Sequence, residues 1–176
     1  FEGIVVYDRN GNLLAELTGY SQPEWLNDGR LLCAGLGSAQ YNFNKYPGIT
    51  DKYGIYLFDA SLTKAKRIDN GRADAHNPSV SPDNKMIAFT SYDKERQADA
   101  LFVANIDGSN LKMISYAFPS EKLYHTAWSP NGKAVAVVEN SDLYICPVDG
   151  KTAPVKMTDK NKMPLIMNTT KFMWIE

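Results

Sequence analysis

Apolar residues in this chain fall in short runs, and each run stops at a turn signal. Lys85 to Thr90 and Lys133 to Val138 are rich in β-branched and aromatic residues. That content suits a pleated, buried surface. Ser81-Pro-Asp-Asn84 precedes the first run and Ser129-Pro-Asn-Gly132 the second. Asx-Gly and Pro-Asp pairs of this kind are hairpin and tight-turn chemistry. No helical spacing of apolar residues persists for ten positions, so the pattern predicts an all-β protein of short strands.

The pattern also repeats. Asn77-Pro-Ser-Val-Ser-Pro-Asp-Asn-Lys-Met-Ile-Ala-Phe-Thr90 returns as His125-Thr-Ala-Trp-Ser-Pro-Asn-Gly-Lys-Ala-Val-Ala-Val-Val138. A looser copy reads Gln22-Pro-Glu-Trp-Leu-Asn-Asp-Gly-Arg-Leu-Leu-Cys-Ala-Gly35, and Lys171-Phe-Met-Trp-Ile-Glu176 reads as the start of another. Aligned on Trp25, Val80, Trp128 and Trp174, the copies are 55, 48 and 46 residues apart. Each unit predicts four strands. A first strand leads into the Asx/Gly/Pro turn, and the second follows it. The third is Gly54 to Asp59, Ala100 to Asn105 or Asp142 to Pro147, and the fourth is Ala65 to Asp69, Leu111 to Ser115 or Val155 to Thr158. Pro147 belongs near a strand end, since it has no amide to donate. The N-terminus enters mid-unit: Gly3 to Asp8 matches a third strand, Asn10-Gly11 its two-residue turn, and Leu13 to Thr18 a fourth.

A unit of this length cannot bury its own apolar face, so neighbours must stack. Four strands per repeat predict a β-propeller of four-stranded antiparallel blades. Three blades are complete, at about 22–69, 77–115 and 125–158. A partial or composite fourth draws on 1–20 and 168–176. The chain stops at Trp174-Ile-Glu176, where a turn is expected, and begins with Phe1. Both ends favour a piece cut from a larger propeller over a closed four-bladed ring.

The chain has 176 residues, 44% apolar and 22% charged, which is enough for a substantial core. Net charge is −1, with Lys and Arg scattered. A nucleic-acid partner would need a basic stripe, and none is present. No apolar run is long enough to span a membrane as a helix. Cys33 and Cys146 fall in apolar runs of different repeats and read as buried free thiols, with a disulfide as the alternative.

Little in the sequence suggests chemistry. There is no Gly-x-Ser-x-Gly elbow, and Gly35-Leu-Gly-Ser38 lacks the third glycine and helix of a dinucleotide fingerprint. Asp8-Arg-Asn-Gly-Asn12 lacks the glycine and distal glutamate of a calcium loop, and reads as a hairpin turn. Asn168-Thr-Thr170 is a glycosylation sequon without a secretory context. His76 and His125 each lie just before a first strand, one residue out of register with each other, where they would rim the central channel of a propeller. With a carboxylate such as Asp74 or Glu121 they suit a metal, and singly they suit backbone hydrogen bonds. The expectation is no catalytic set, no metal and no cofactor.

Recognition residues are easier to nominate. Loops between second and third strands, and between blades, share one face, and the chain spends its extra residues there. Leu36 to Tyr53 carries Tyr41, Phe43 and Tyr46; Ser91 to Asp99 reads as a polar loop with Tyr92 and Arg96; Tyr116 to Tyr124 carries Phe118 and Tyr124. Aromatics and arginine on loops held by a rigid scaffold are the usual anchors of interfaces.

Pro78-Ser-Val-Ser-Pro-Asp-Asn-Lys-Met-Ile-Ala-Phe89 followed by Asn105-Ile-Asp-Gly108 resembles the TolB-type (WD-like) β-propeller repeat, as does Trp128-Ser-Pro-Asn-Gly-Lys133 with Val148-Asp-Gly150. The first copy departs, with Leu26-Asn-Asp-Gly29 in place of Ser-Pro. The resemblance implies a propeller that binds a protein or peptide, in the periplasm or cell envelope. It also implies two alternatives: a small-ligand or carbohydrate-processing propeller with a channel-mouth site, and the propeller domain of a larger peptidase. Fold alone does not choose among them.

Overall fold

The computed structural model describes residues 3–35, 54–72, 74–115, 123–139 and 142–158. Strands β1 (Gly3–Tyr7) and β2 (Leu13–Thr18) form an antiparallel pair. Three four-stranded sheets follow, each built in chain order. Blade I is β3 (Tyr20–Trp25), β4 (Leu31–Gly35), β5 (Gly54–Phe58) and β6 (Ala65–Arg67). Blade II is β7 (His76–Val80), β8 (Met86–Asp93), β9 (Ala98–Asn105) and β10 (Lys112–Ser115). Blade III is β11 (Leu123–Trp128), β12 (Ala134–Glu139), β13 (Asp142–Pro147) and β14 (Val155–Lys156). All pairs are antiparallel, and no helix occurs among the described residues. Pro147 is the last residue of β13.

Strand alternation explains how the sheets stack. Successive residues of β8 and β9 point to opposite sides. Ile87, Phe89, Ala100, Phe102 and Ala104 join Leu32, Ala34 and Ile55 in the core between blades I and II. Ala88, Leu101 and Val103 join Trp128, Val135, Val137 and Cys146 in the core between blades II and III. Blade I uses its other side in the same way, with Leu31, Cys33 and Phe58 against Ile4, Val6 and Leu17 of the N-terminal pair. Every internal sheet is thus apolar on both faces, and stacking is what buries them.

The Ser-Pro-Asx motif is a small hydrogen-bonded device. Ser81 Oγ donates to Asp83 Oδ1 (2.7 Å) and accepts from the Met86 amide (2.9 Å), while Asp83 Oδ1 accepts from the Lys85 amide (3.1 Å). Ser129, Asn131, Lys133 and Ala134 repeat it at 2.9, 3.0 and 3.0 Å. Asn84 and Gly132 supply the left-handed residue that closes each turn. The first copy is one residue shorter: the Leu26 amide bonds the Arg30 carbonyl directly, and Gly29 is the left-handed residue.

Two expectations need correction. Ser91 to Asp99 is not a loop, because β8 runs to Asp93 and β9 starts at Ala98, with Tyr92 opposite Asp99. Ser91, Asp93 and Asp99 are buried in the strands, which their composition concealed, while Lys94, Glu95, Arg96 and Gln97 form the exposed turn between them. The Asn10-Gly11 connection is also longer than two residues. The Asp8 amide bonds the Asn12 carbonyl across three residues, Gly11 is left-handed, and Asp8 Oδ1 accepts from the Asn10 and Asn12 amides. The connection 36–53, the segment 116–122 and the C-terminal residues 159–176, with the sequon, lie outside the described residues.

Candidate functional site

Two places draw polar side chains from different blades. The first lies among the innermost strands. Gln22, Asn77 and His125 occupy the same position in β3, β7 and β11, three residues before Trp25, Val80 and Trp128. All three have left-handed backbones (φ 53°, 52° and 48°) at a break in strand register. Non-glycine residues hold this conformation only where the surroundings enforce it. The bulges turn these side chains toward one cavity of about 230 Å³, shared with Glu24 and Thr126. Gln22 and Asn77 lock blade I to blade II: Gln22 Nε2 donates to Asn77 Oδ1 (2.8 Å), and the Asn77 amide donates to Gln22 Oε1 (2.7 Å). Thr126 Oγ1 donates to the Asn77 carbonyl (2.7 Å) and lies 2.7 Å from Ser79 Oγ, which locks blade III on.

The second place is a cleft of about 660 Å³ where the residues that link blade I to blade II meet the β8–β9 turn. Its construction starts at Asp69, which is fully buried. Asp69 Oδ2 accepts from the Ile55 amide (3.1 Å), and Oδ1 accepts from Arg67 Nε (2.7 Å) and the Gly71 amide (3.0 Å). Arg67 Nη2 then donates to the Arg72 carbonyl (2.9 Å). So fixed, Arg72 lays its guanidinium over the Phe102 ring, 3.9 Å from the centroid, and donates from Nε to Ser91 Oγ (3.3 Å). Across the cleft, Asp93 Oδ1 accepts from the Glu95 and Arg96 amides and so shapes the turn. Asp93 Oδ2 lies 3.5 Å from Arg96 Nη1 and 3.9 Å from Arg72 Nη2. Tyr92, Leu111 and Met113 complete the walls.

His76 belongs to neither cavity lining. Its Nδ1 donates to the Asp74 carbonyl, and Nε2 lies 3.5 Å from Asp99 Oδ2. Burial alone would lower the His76 pKa, but Asp99 and the Asp74 carbonyl outweigh it and hold the imidazole above its ordinary value. Cys33 and Cys146 are buried free thiols whose pKa values burial pushes up to about 12, so neither is an activated nucleophile. Among the described residues, no group of three or more His, Cys, Asp or Glu side chains is placed to hold a metal ion.

No family model matches the sequence. The oligogalacturonate lyase of Dickeya dadantii (strain 3937) is 26% identical over 164 residues, which is 80% of this chain and 42% of the lyase. The Tol-Pal system protein TolB of Francisella tularensis subsp. tularensis is 28% identical over 93 residues, 53% of this chain and 19% of that protein. The chain thus spans less than half the length of these curated relatives. The crystal structure of TolB from Acinetobacter baumannii superposes with a TM-score of 0.64 at 18% identity, over 89% of this chain and 37% of that one. The β-propeller domain of the Trilobed protease from Pyrococcus furiosus gives 0.55 at 16%, over 79% and 42%.

The fold is a β-propeller, and its repeats are similar to those of TolB proteins. Within the propeller, Tyr92 and Arg96 stand together on the second cleft. His125 lines the axial cavity, while His76 pairs with Asp99 elsewhere. Tyr41, Phe43, Tyr46 and Phe118 lie outside the described residues, as does the Tyr124 side chain. Arg72, Asp93 and Asp99 were not nominated from sequence. Asp93 and Asp99 were available as a pair flanking one tight turn, and Arg72 as the cation after Asn70-Gly71. No helix among the described residues is long and apolar enough to cross a membrane.

Proposed function

We propose that this propeller is a non-catalytic binding module that takes a protein or peptide partner in the cleft between blades I and II. One observation carries the reading. Arg72 and Arg96, from two separate elements, converge on a single carboxylate oxygen of Asp93 beside the apolar side chains of Leu111 and Met113. Arginine and tyrosine set in a cleft with apolar walls are the composition of interface hot spots. Arg72 is positioned in advance by Asp69, Arg67 and Phe102, which lowers the entropy lost on binding. The periplasmic or cell-envelope setting implied by the repeat type belongs to the same proposal.

The test is selection of a displayed random peptide library on the purified chain. Enriched peptides should bind the chain, and Tyr92→Ala combined with Arg96→Ala should weaken them about tenfold or more. Failure to enrich any peptide, or affinity indifferent to both substitutions, overturns the proposal.

A second reading has its own support. The lyase match covers most of this chain, and the axial cavity gathers His125 and Glu24 with three strained backbones. Incubation with oligogalacturonate, with and without divalent cations, separates the two. Unsaturated product that His125→Ala abolishes would establish the lyase reading.

A further inference from the structure

We infer that the cleft between blades I and II is a subsite for an acidic side chain with an apolar neighbour on a peptide. The carboxylate bridges Arg72 and Arg96, and the apolar side chain lies on Leu111 and Met113. This narrows the partner-binding proposal and rests on it.

The charge balance points that way. Arg72, Lys94 and Arg96 face Asp93 and Glu95, three cations against two anions, on a chain whose net charge is −1. Asp93 is a poor match for two guanidiniums. One of its oxygens is committed to the turn amides, and the other lies 3.5 Å and 3.9 Å from the two arginines. Close charge-assisted pairs sit nearer, at about 2.7–2.9 Å. A ligand carboxylate brings two further acceptor oxygens to donors already aimed at the cleft. Both guanidiniums are within reach of solvent, with side chains 27% and 40% exposed.

The apolar walls favour a peptide over an acidic sugar. The Phe102 face is already covered by Arg72, so it offers no free platform for a sugar ring. What remains is Tyr92 with the aliphatic Leu111 and Met113, and the aliphatic pair suits a Leu, Ile or Phe side chain beside the acid.

The experiment uses two end-blocked, fluorescently labelled hexapeptides, Gly-Ser-Leu-Asp-Ser-Gly and its Asn counterpart, titrated with the 176-residue chain. The Asp peptide should bind at least about tenfold tighter than the Asn peptide. Arg96→Glu, on the exposed turn, should erase that preference. Arg72→Lys keeps the charge but loses the fork, and should reduce it. Met113→Ser should weaken both peptides alike. Circular dichroism of each variant checks that the blades persist.

Equal binding of the two peptides, still sensitive to Met113→Ser, overturns the acidic subsite and leaves the partner-binding proposal standing. Binding of neither peptide, or a preference unchanged in Arg96→Glu, also overturns the subsite, and the library selection then judges the broader proposal independently. Binding of an oligogalacturonate that Arg96→Glu abolishes, with no peptide binding, gives the cleft to acidic sugars.

Discussion

Trp25 and Trp128 hold the same place in two copies of one repeat, yet one is 53% exposed and the other 7%. Each ends a first strand, and each stands opposite a residue at the start of the second, Leu31 as the first of β4 or Val135 as the second of β12. The difference lies in the neighbour. Trp128 packs on blade II and donates from Nε1 to the Ser79 carbonyl of β7 (3.2 Å). Trp25 looks toward the N-terminal pair, and among the described residues no first strand stands there as β7 stands for Trp128. The burial of a propeller residue is therefore a property of the interface between two units, as the one-dimensional logic of repeat proteins requires.

The most forceful way to break this comparison is to remove both rings. Trp128→Ala deletes a buried indole and its hydrogen bond, and should cost about 4 kcal/mol of unfolding free energy. Trp25→Ala should cost about 1 kcal/mol or less. Urea denaturation of the two variants in parallel measures this. Equal losses would mean that Trp25 is buried in solution by something beyond the described residues.

A second pair sharpens the comparison at the outer edge. Gly108 and Gly150 occupy equivalent turns, both with positive φ (88° and 68°). In each, a lysine of the preceding blade reaches a turn carbonyl: Lys66 to Asp107 (3.4 Å) and Lys112 to Asp149 (2.9 Å). A Cβ on Gly108 would meet the Ile68 carbonyl oxygen at 2.5 Å, whereas one on Gly150 would meet the Lys112 Cε at 3.1 Å, near the end of a flexible side chain. Gly108→Ala should cost about 3 kcal/mol, from backbone strain and the clash together. Gly150→Ala should cost about 1 kcal/mol, from the φ penalty alone. Denaturation midpoints that fall by the same amount would remove the distinction.

The serine turns come next. Ser81→Ala and Ser129→Ala each leave a strand amide, Met86 or Ala134, without its side-chain partner, and should each cost about 1–2 kcal/mol. In the first copy the corresponding strand amide, that of Arg30, donates to Asp28 Oδ1 (3.1 Å), so no serine is missed there. Inserting Ser-Pro ahead of Asn27 should therefore destabilise blade I, although it brings its sequence closer to the other two copies. A gain in thermal stability would show that the motif acts independently of turn length.

These pairs also show what the sequence could reveal. The order of strands within a four-stranded sheet was legible because each turn carries its own chemistry at a fixed place: Ser81-Pro-Asp-Asn84 makes the same hydrogen bonds as Ser129-Pro-Asn-Gly132. The β8–β9 extension was not legible, because Ser91, Asp93 and Asp99 have loop composition and find their partners only through tertiary contacts. The cleft was half visible. Tyr92 and Arg96 stood out as exposed-type anchors, whereas Arg72 acquires its role through a buried carboxylate and a distant ring. The bulges at Gln22, Asn77 and His125 were invisible, since a left-handed residue at a strand kink leaves no mark when it is neither Gly nor, in two of the three, Asn.

The smallest expected effect concerns a position where the three copies differ in charge chemistry near neutral pH. Ser21, His76 and Tyr124 are equivalent, and His76 alone titrates there. Burial alone would lower its folded pKa, but the hydrogen bonds to Asp99 and the Asp74 carbonyl, with the charges of both carboxylates, together raise it above 6.5. A group whose pKa rises on folding binds its proton more tightly in the native state. Its stabilisation is fully present below pH 6.5 and is lost as pH climbs through the raised value. Unfolding free energy should therefore decline modestly across that window in the parent chain, and His76→Gln should flatten the decline. Asp99→Asn should flatten it too, because the imidazole then lacks the carboxylate that holds its proton. A slope that survives both substitutions would place the titrating group elsewhere, and blade II would then differ from its neighbours in shape alone.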